Sequence, residues 1–325
     1  MTTLRRDRGG EGRPPVVALF GVTALGKSDI ALALAERLGA DIVVADSMQV
    51  YRGLPILTNQ PDAARLRRRR HHLVGVADPY AEFSVAAYAA LAHSAIDGAL
   101  AAGRRVVIEG GSGLYLRAAL GGLEFRPAAA GERRDALRRD LEERWARDPD
   151  GVVEELRRRD PVALARLDTA NPRRVLRALA AALETAPQAA GTTPEEAQHD
   201  ALWAPGGRYE HRLVALAPDR AALRERVAAR VAAMLAAGAL GEVEALLAGG
   251  TPARTVRQAI GVRVLSAVLA GELTLDAAAA ARVRRTNALV RRQLTWMRKL
   301  PASTTVAAGG RAPGAVAEEI LRLLG

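Results

Sequence analysis

The run Gly21-Val22-Thr23-Ala24-Leu25-Gly26-Lys27-Ser28 has the spacing G-x-x-x-x-G-K-[ST], a pattern suited to holding phosphate. Its glycines let the backbone curl so that several N–H groups point inward. A helix starting directly after it adds the positive end of its dipole. Lys27 supplies a mobile point charge to an outer phosphate, and Ser28 offers a hydroxyl to Mg²⁺. Of the 47 basic residues only Lys27 and Lys299 are lysines, leaving 45 arginines. Arginine is too bulky and planar for this task, which accounts for a lysine at this position in an arginine-dominated chain. A diphosphate or triphosphate is therefore expected here, although the motif does not say which, or what becomes of it. A second chemical group is Asp46, at the head of Asp46-Ser47-Met48-Gln49-Val50-Tyr51-Arg52-Gly53. Its carboxylate can bind metal-held water or act as a general base, or it can cap the turn that follows. The local sequence supports these readings about equally.

These groups need elements to position them. Residues 16–20 form a short apolar run ending at Gly21, the pattern of a buried strand. Helical spacing follows over 29–38, with Ile30, Leu34 and Leu38 on one side and Gly39 as a stop. Residues 42–45 and 105–108 read as two more strands, separated by a helix over 83–101. Strands alternating with helices imply a parallel sheet covered on both faces. Such a sheet takes its ligand at the carboxyl ends of its strands, which places Asp46 in the crevice of the phosphate loop. From Gly131 to Glu184 the pattern is helical and highly charged, with Pro149, Pro161 and Pro172 as breaks. Residues 186–207 read as a loop and 211–217 as a strand. Asp219 is the expected N-cap of a helix running to Ala237. Further helices are expected at 256–270, 275–300 and 315–324. The predicted fold is α/β, a P-loop NTPase-like parallel sheet with a helical insertion domain. Its core takes residues 15–126 and 205–325, the insertion takes 127–204, and residues 1–14 form a disordered tail.

The phosphate loop, then Ala45-Asp46-Ser47-Met48-Gln49-Val50-Tyr51-Arg52-Gly53, then His71-His72-Leu73, then Gly110-Gly111-Ser112-Gly113-Leu114-Tyr115 resemble, in order, the landmarks of the tRNA dimethylallyltransferase family. Ile260-Gly261 and Arg291-Arg292-Gln293-Leu294-Thr295-Trp296 continue that order, so the resemblance spans about residues 15 to 300. It implies that the loop holds dimethylallyl diphosphate, whose C1 is attacked by N6 of adenine 37 in the anticodon stem-loop of a tRNA. Asp46 is then the general base. Thr23 matches a residue that contacts the bridging oxygen of the leaving diphosphate, and Arg230 an arginine that clamps the same group. Mg²⁺ is held near Ser28. Ser47, Met48 and Gln49 match positions beside the flipped base. Arg173, Arg174 and Arg177, with Gln258, Gly261 and Arg263, match further tRNA-contact segments. The chain departs from the usual pattern at Val22 and Leu25, where Pro and Ser are usual, and across residues 57–61. It also departs at Gly75, at Glu109 in place of Val, at Val262 in place of Tyr and at Asn287 in place of Arg. A small-molecule enzyme, either an adenylate prenyltransferase or a P-loop kinase, and an inert tRNA-binding relative are the rival readings.

The formal net charge of +11 fits a polyanionic partner, and an arginine-rich codon usage would produce the same balance. Residues 282–299 carry seven basic side chains and no acid. Phosphate contact by Arg291 and Arg292 and a merely solvated helix end both account for this run. Between Gly131 and Arg177, thirteen arginines face eleven acids, which points to internal pairing. Arg67 to Arg70, with His71 and His72, read either as a phosphate contact or as a solvated loop. There is no cysteine, so disulfides and thiolate-held metals are excluded. No stretch reaches the roughly 18–20 apolar residues of a membrane helix, and no signal peptide precedes the core. A soluble, cytoplasmic monomer is expected.

Overall fold

The computed structural model of the chain describes residues 15–123, 131–184, 206–302 and 304–325. The side chains of residues 131–135, 166 and 173 fall outside this description, as do the expected tail at 1–14 and all but the last two residues of the expected loop at 186–207. Two compact units result, one from Met1–Leu123 with Trp203–Gly325, the other from Glu124–Leu202.

The first unit is built on six parallel strands: β1 Val16–Gly21, β2 Asp41–Ala45, β3 His71–His72, β4 Val106–Gly110, β5 His211–Ala217 and β6 Thr304–Ala307, in the order β3-β2-β4-β1-β5-β6. Every residue of β1, β2 and β4 is buried, as expected of central strands covered on both faces. The register pairs Leu19 of β1 with Glu109 of β4. Helix α1, Lys27–Leu38, buries Ile30, Leu34 and Leu38 and ends at Gly39 in the left-handed region. Two short helices follow β2, α2 Pro55–Thr58 and α3 Ala63–Arg68. Helix α4, Val85–Ala101, is capped by the Ser84 hydroxyl, and α5, Gly113–Ala119, starts just beyond β4.

The second unit comprises α6 Gly131–Arg147, α7 Pro149–Arg159, α8 Pro161–Arg166 and α9 Pro172–Glu184. They close over a core of Leu141, Val152, Leu156, Val175 and Leu179. The three prolines read as breaks are helix starts. Asp148 and Asp160 accept hydrogen bonds from the Gly151 and Ala163 amides, capping α7 and α8 just before the proline of each. Arg144 and Arg159 pair with Glu155, and Arg157 with Glu154, so part of this unit's charge is internally balanced.

The first unit resumes after β5 with α10 Leu223–Ala236, α11 Ala239–Ala248, α12 Arg254–Arg257, α13 Val262–Leu269, α14 Leu275–Lys299 and α15 Pro313–Leu324. Two expectations are corrected here. Asp219 caps a turn through the Ala221 amide rather than starting α10. The helix expected over 256–270 is two helices, α12 and α13, broken where Gly261 adopts φ +111°, a conformation open to glycine and costly for other residues. Among the described residues no single helix is long and apolar enough to cross a membrane.

Candidate active site

The phosphate loop leaves β1 at Gly21 and enters α1 at Lys27, with Gly26 at φ +92°. Two neighbouring elements brace it. From α10, Arg226 Nη2 donates to the Leu25 carbonyl at 2.9 Å. From α14, the buried Gln293 carboxamide accepts from the Thr23 amide at 2.9 Å and donates to the Gly111 carbonyl at 2.9 Å. Because one partner is a donor and the other an acceptor, the orientation of this amide is fixed by its surroundings. Gly111 and Gly113 let α14 come this close. A Cβ at 111 would lie 2.4 Å from Gln293 Nε2, and one at 113 would lie 2.0 Å from the Trp296 indole. Gly111 and Gly113 therefore serve helix packing, whereas a Cβ at Gly110 would lie 2.3 Å from the Ala45 carbonyl of the neighbouring strand.

Two cavities meet at this point. One, of about 340 Å³, is bounded by the whole loop from Val22 to Ser28 together with Arg65, Arg226 and Arg230. The other, of about 280 Å³, has a largely apolar wall that includes Leu57, Leu114, Val231, Met234, Ile260 and Trp296. Thr23, Asp46, Gly111, Arg230 and Gln293 border both. The site is thus a cationic, amide-lined cradle joined to an apolar recess, with one carboxylate at the junction. It suits a molecule with an anionic head and a hydrocarbon tail, reacting where the two parts join.

Asp46 takes the capping role open to it. Its Oδ1 accepts from the Met48 amide at 2.8 Å and the Gln49 amide at 3.4 Å, which fixes the side chain at the turn, and the same residue borders both cavities. Gln60 steadies the segment that follows, donating to the carbonyls of Gln49 at 2.9 Å and Tyr51 at 2.7 Å. Ser47 and Met48 face the apolar recess and Gln49 the cradle. Burial pulls the Arg230 guanidinium below its ordinary range, and the carboxylates of Asp46 and Glu109 oppose that shift.

Glu109 and Arg282 were not singled out as site residues from sequence. Glu109 is 3% exposed; its Oε2 lies 2.8 Å from Lys27 Nζ, and its Oε1 accepts from Ser28 Oγ at 3.0 Å. Arg282 is also 3% exposed and borders the apolar recess. It donates to the Leu57 carbonyl at 3.0 Å, and burial brings its guanidinium down to about 10. The remaining cations of α14, Arg284, Arg285, Arg291, Arg292, Arg298 and Lys299, are exposed.

The positions matched to RNA contacts are dispersed. Gln258 and Arg263 are exposed on either side of the α12–α13 break. Gly261 is buried, and a Cβ there would meet Leu57 Cδ1 at 2.9 Å and Arg282 Cζ at 3.2 Å, so its role is to let the backbone approach them. Arg174 and Arg177 are placed on α9, both exposed; the Arg173 side chain lies outside the described residues. In the basic run before β3, Arg68 pairs with Glu36 at 2.8 Å and Arg69 donates to the Glu36 carbonyl at 3.1 Å. His72 lies 3.0 Å from Asp41. Much of that run is structural. Among the described residues, no group of three or more His, Asp or Glu side chains gathers to hold a metal. A cation here would need phosphate oxygens among its ligands, and Ser28 supplies a hard oxygen suited to Mg²⁺.

Residues 49–300 match the model of a family described as IPP transferase. The chain belongs to that family. It is 38% identical over 311 residues to the tRNA dimethylallyltransferase of Symbiobacterium thermophilum, covering 95% of each chain. It is 41% identical over 290 residues to that of Opitutus terrae, covering 88% of this chain and 90% of the relative. The crystal structure of the tRNA isopentenylpyrophosphate transferase from Bacillus halodurans matches with a TM-score of 0.67 at 29% identity, covering 97% of this chain and 96% of the other. The α/β unit is accordingly a P-loop NTPase-like fold of this enzyme family, and the IPP transferases carry that fold with a prenyl-transfer activity and tRNA as acceptor.

Proposed function

We propose that this chain transfers the dimethylallyl group from dimethylallyl diphosphate to N6 of adenine 37, beside the anticodon of tRNA, and releases diphosphate. The observation that carries this reading is the junction itself. The phosphate cradle and the apolar recess share Thr23, Asp46 and Arg230, so an allylic diphosphate spanning the two would present its scissile carbon to Asp46.

In the reaction the C1–O bond breaks, its electron pair leaves with the diphosphate, and C1 bonds to N6. The proton displaced from N6 passes to the Asp46 carboxylate. An allylic C–O bond cleaves readily once the leaving oxygen is stabilised, because the positive charge on carbon is delocalised. The main demand is therefore on the groups facing the diphosphate: Lys27, Arg230, the Thr23 hydroxyl and the loop amides. Removing one preorganised donor of this kind typically costs about 10²–10³ in rate. Mg²⁺ held at Ser28 would supply further charge neutralisation on the leaving group. The apolar recess excludes water that would otherwise trap the allyl cation. The adenine must swing out of its stack to reach it. The exposed arginines of α14, together with Arg174 and Arg177, are suited to the phosphate backbone of the RNA. The protein acts as a cytoplasmic monomer in this reading.

Mass analysis of tRNA from cells with and without the gene tests it. The isopentenyl mass on adenosine 37 should be present only where the gene is intact. Unmodified tRNA in both strains, with prenylated AMP or a phosphorylated small molecule formed by the purified protein, would replace this reading.

A further inference from the structure

Glu109 stands beside the phosphate loop in an electrostatically awkward place. It sits near the carboxyl end of β4, on the strand next to β1, and is 3% exposed. Both of its carboxylate oxygens are occupied by the two loop side chains that phosphate binding calls upon: Lys27 at 2.8 Å and Ser28 at 3.0 Å. A diphosphate entering the cradle competes with Glu109 for Lys27. If the lysine turns to the phosphate, a buried carboxylate is left unpaired beside a polyanion, which is strongly unfavourable. A divalent cation between the two anions removes the conflict. The geometry for one is present. Octahedral Mg²⁺ with bonds of 2.0–2.1 Å places adjacent ligands about 2.9 Å apart, and Glu109 Oε1 and Ser28 Oγ are separated by 3.0 Å.

We propose that Glu109 joins Ser28 in holding the divalent cation that accompanies the diphosphate, and that it makes diphosphate binding depend on that cation. Without metal, Glu109 neutralises Lys27 and repels the ligand. With metal, Lys27 is released to the phosphate while Glu109 and Ser28 face the ion. The proposal rests on the diphosphate reading given above and adds to it a residue that sets the metal requirement.

The test is calorimetric titration of the full-length protein with inorganic diphosphate, once with excess EDTA and once with saturating Mg²⁺. Wild type should gain roughly 100-fold in affinity from the metal, near the upper end of ordinary coupling between two ligands. Glu109→Val should bind diphosphate about tenfold more tightly than wild type in EDTA, because a repelling charge is gone. Its gain from Mg²⁺ should shrink to below about tenfold. Glu109→Gln keeps the shape and the Ser28 hydrogen bond, carries the same expectation, and guards against loss of the fold in the valine variant. A role limited to pairing with Lys27 would change the metal-free affinity and leave the gain from Mg²⁺ intact; equal gains in wild type and both variants would overturn the assignment. Wild type failing to bind diphosphate under either condition would instead overturn the transferase reading beneath it.

Discussion

Replacing Gln293 by methionine keeps the volume of the side chain and removes both of its hydrogen bonds, to the Thr23 amide and the Gly111 carbonyl, each 2.9 Å long. Leaving a buried backbone group unpaired costs about 1–3 kcal/mol. Both groups border the cavities, so water can reach them and the lower end applies, about 2 kcal/mol for the pair. If that loss falls on global stability, the melting temperature drops by roughly 4–8 °C. If it falls on the ordering of the phosphate loop, affinity for inorganic diphosphate weakens by up to roughly 30-fold. Differential scanning fluorimetry and calorimetric titration of the same samples divide the loss between these two. Glutamate at this position makes the test sharper. It still accepts from Thr23 but sets a carboxylate oxygen against the Gly111 carbonyl and adds a negative charge at the cradle. The Gln293→Glu variant should therefore bind diphosphate more weakly than the Gln293→Met variant. Wild-type melting and wild-type affinity in both variants, or tighter binding by the glutamate variant, would refute the view that α14 sets the shape of the loop.

Asp46→Asn keeps an oxygen for the Met48 and Gln49 amides and removes the base; transfer measured in single turnover should fall about 10²–10⁴-fold while tRNA affinity in a filter-binding assay stays unchanged, and a wild-type rate would exclude Asp46 as base. Gly113→Ala drives a methyl group to 2.0 Å from the Trp296 indole. Overpacking of this kind costs about 1–3 kcal/mol, and urea denaturation should show the cost largely relieved in a Trp296→Ala background, whereas an equal cost in both backgrounds would mean the ring is not the obstacle. Burial lowers the His71 and His93 imidazoles below their ordinary value of 6.5. In the window between 6.5 and those lowered values the unfolded chain binds more protons, so stability falls as the pH drops through it. The urea midpoint should be lower at pH 5.5 than at 7.5. His93→Gln, which cannot titrate but can still donate to the Ala118 carbonyl, should narrow that difference, and an unchanged difference would remove His93 from the account.

Legibility from sequence tracks how local the deciding physics is. The strands at 16–21, 41–45 and 106–110 are uninterrupted apolar or buried runs bounded by turns, and the phosphate loop acts largely through backbone amides, so spacing alone reveals it. The two-residue strand His71–His72 and the edge strand Thr304–Ala307 exist because a neighbouring strand offers them hydrogen bonds, and no periodicity marks them. The break at Gly261 lies between two segments of the same helical periodicity. Only the glycine hints at it, and the reason for it, close approach to Leu57 and Arg282, is tertiary. The Asp-Pro pairs at 148–149 and 160–161 are informative and point the other way, because aspartate before proline starts a helix as readily as proline ends one.

The site divides along the same line. Its phosphate-facing half follows from a contiguous motif, whereas the groups that brace and tune it come from the far end of the chain. Helix α14 buries Ala278, Arg282, Thr286, Val290 and Gln293, spaced as neighbours on one helical face. A search for apolar stripes passes over this one, because three of its five members are polar and the helix around it is dense in arginine. Polar residues occupy that face because it lies against the open backbone of the loop and the wall of the recess, where Gln293 and Arg282 find carbonyl and amide partners. Of the cations most visible in the sequence, those at 284, 285, 291 and 298 then lie away from that buried stripe on the same helix, while Arg292 is exposed and borders the recess beside it. In the proposed reaction one helix would then meet two demands: its buried side braces the phosphate loop through Gln293, and its exposed, single-signed side is the surface offered to RNA. A substitution that slipped the register of α14 by one residue would impair both, which no change confined to either face would do.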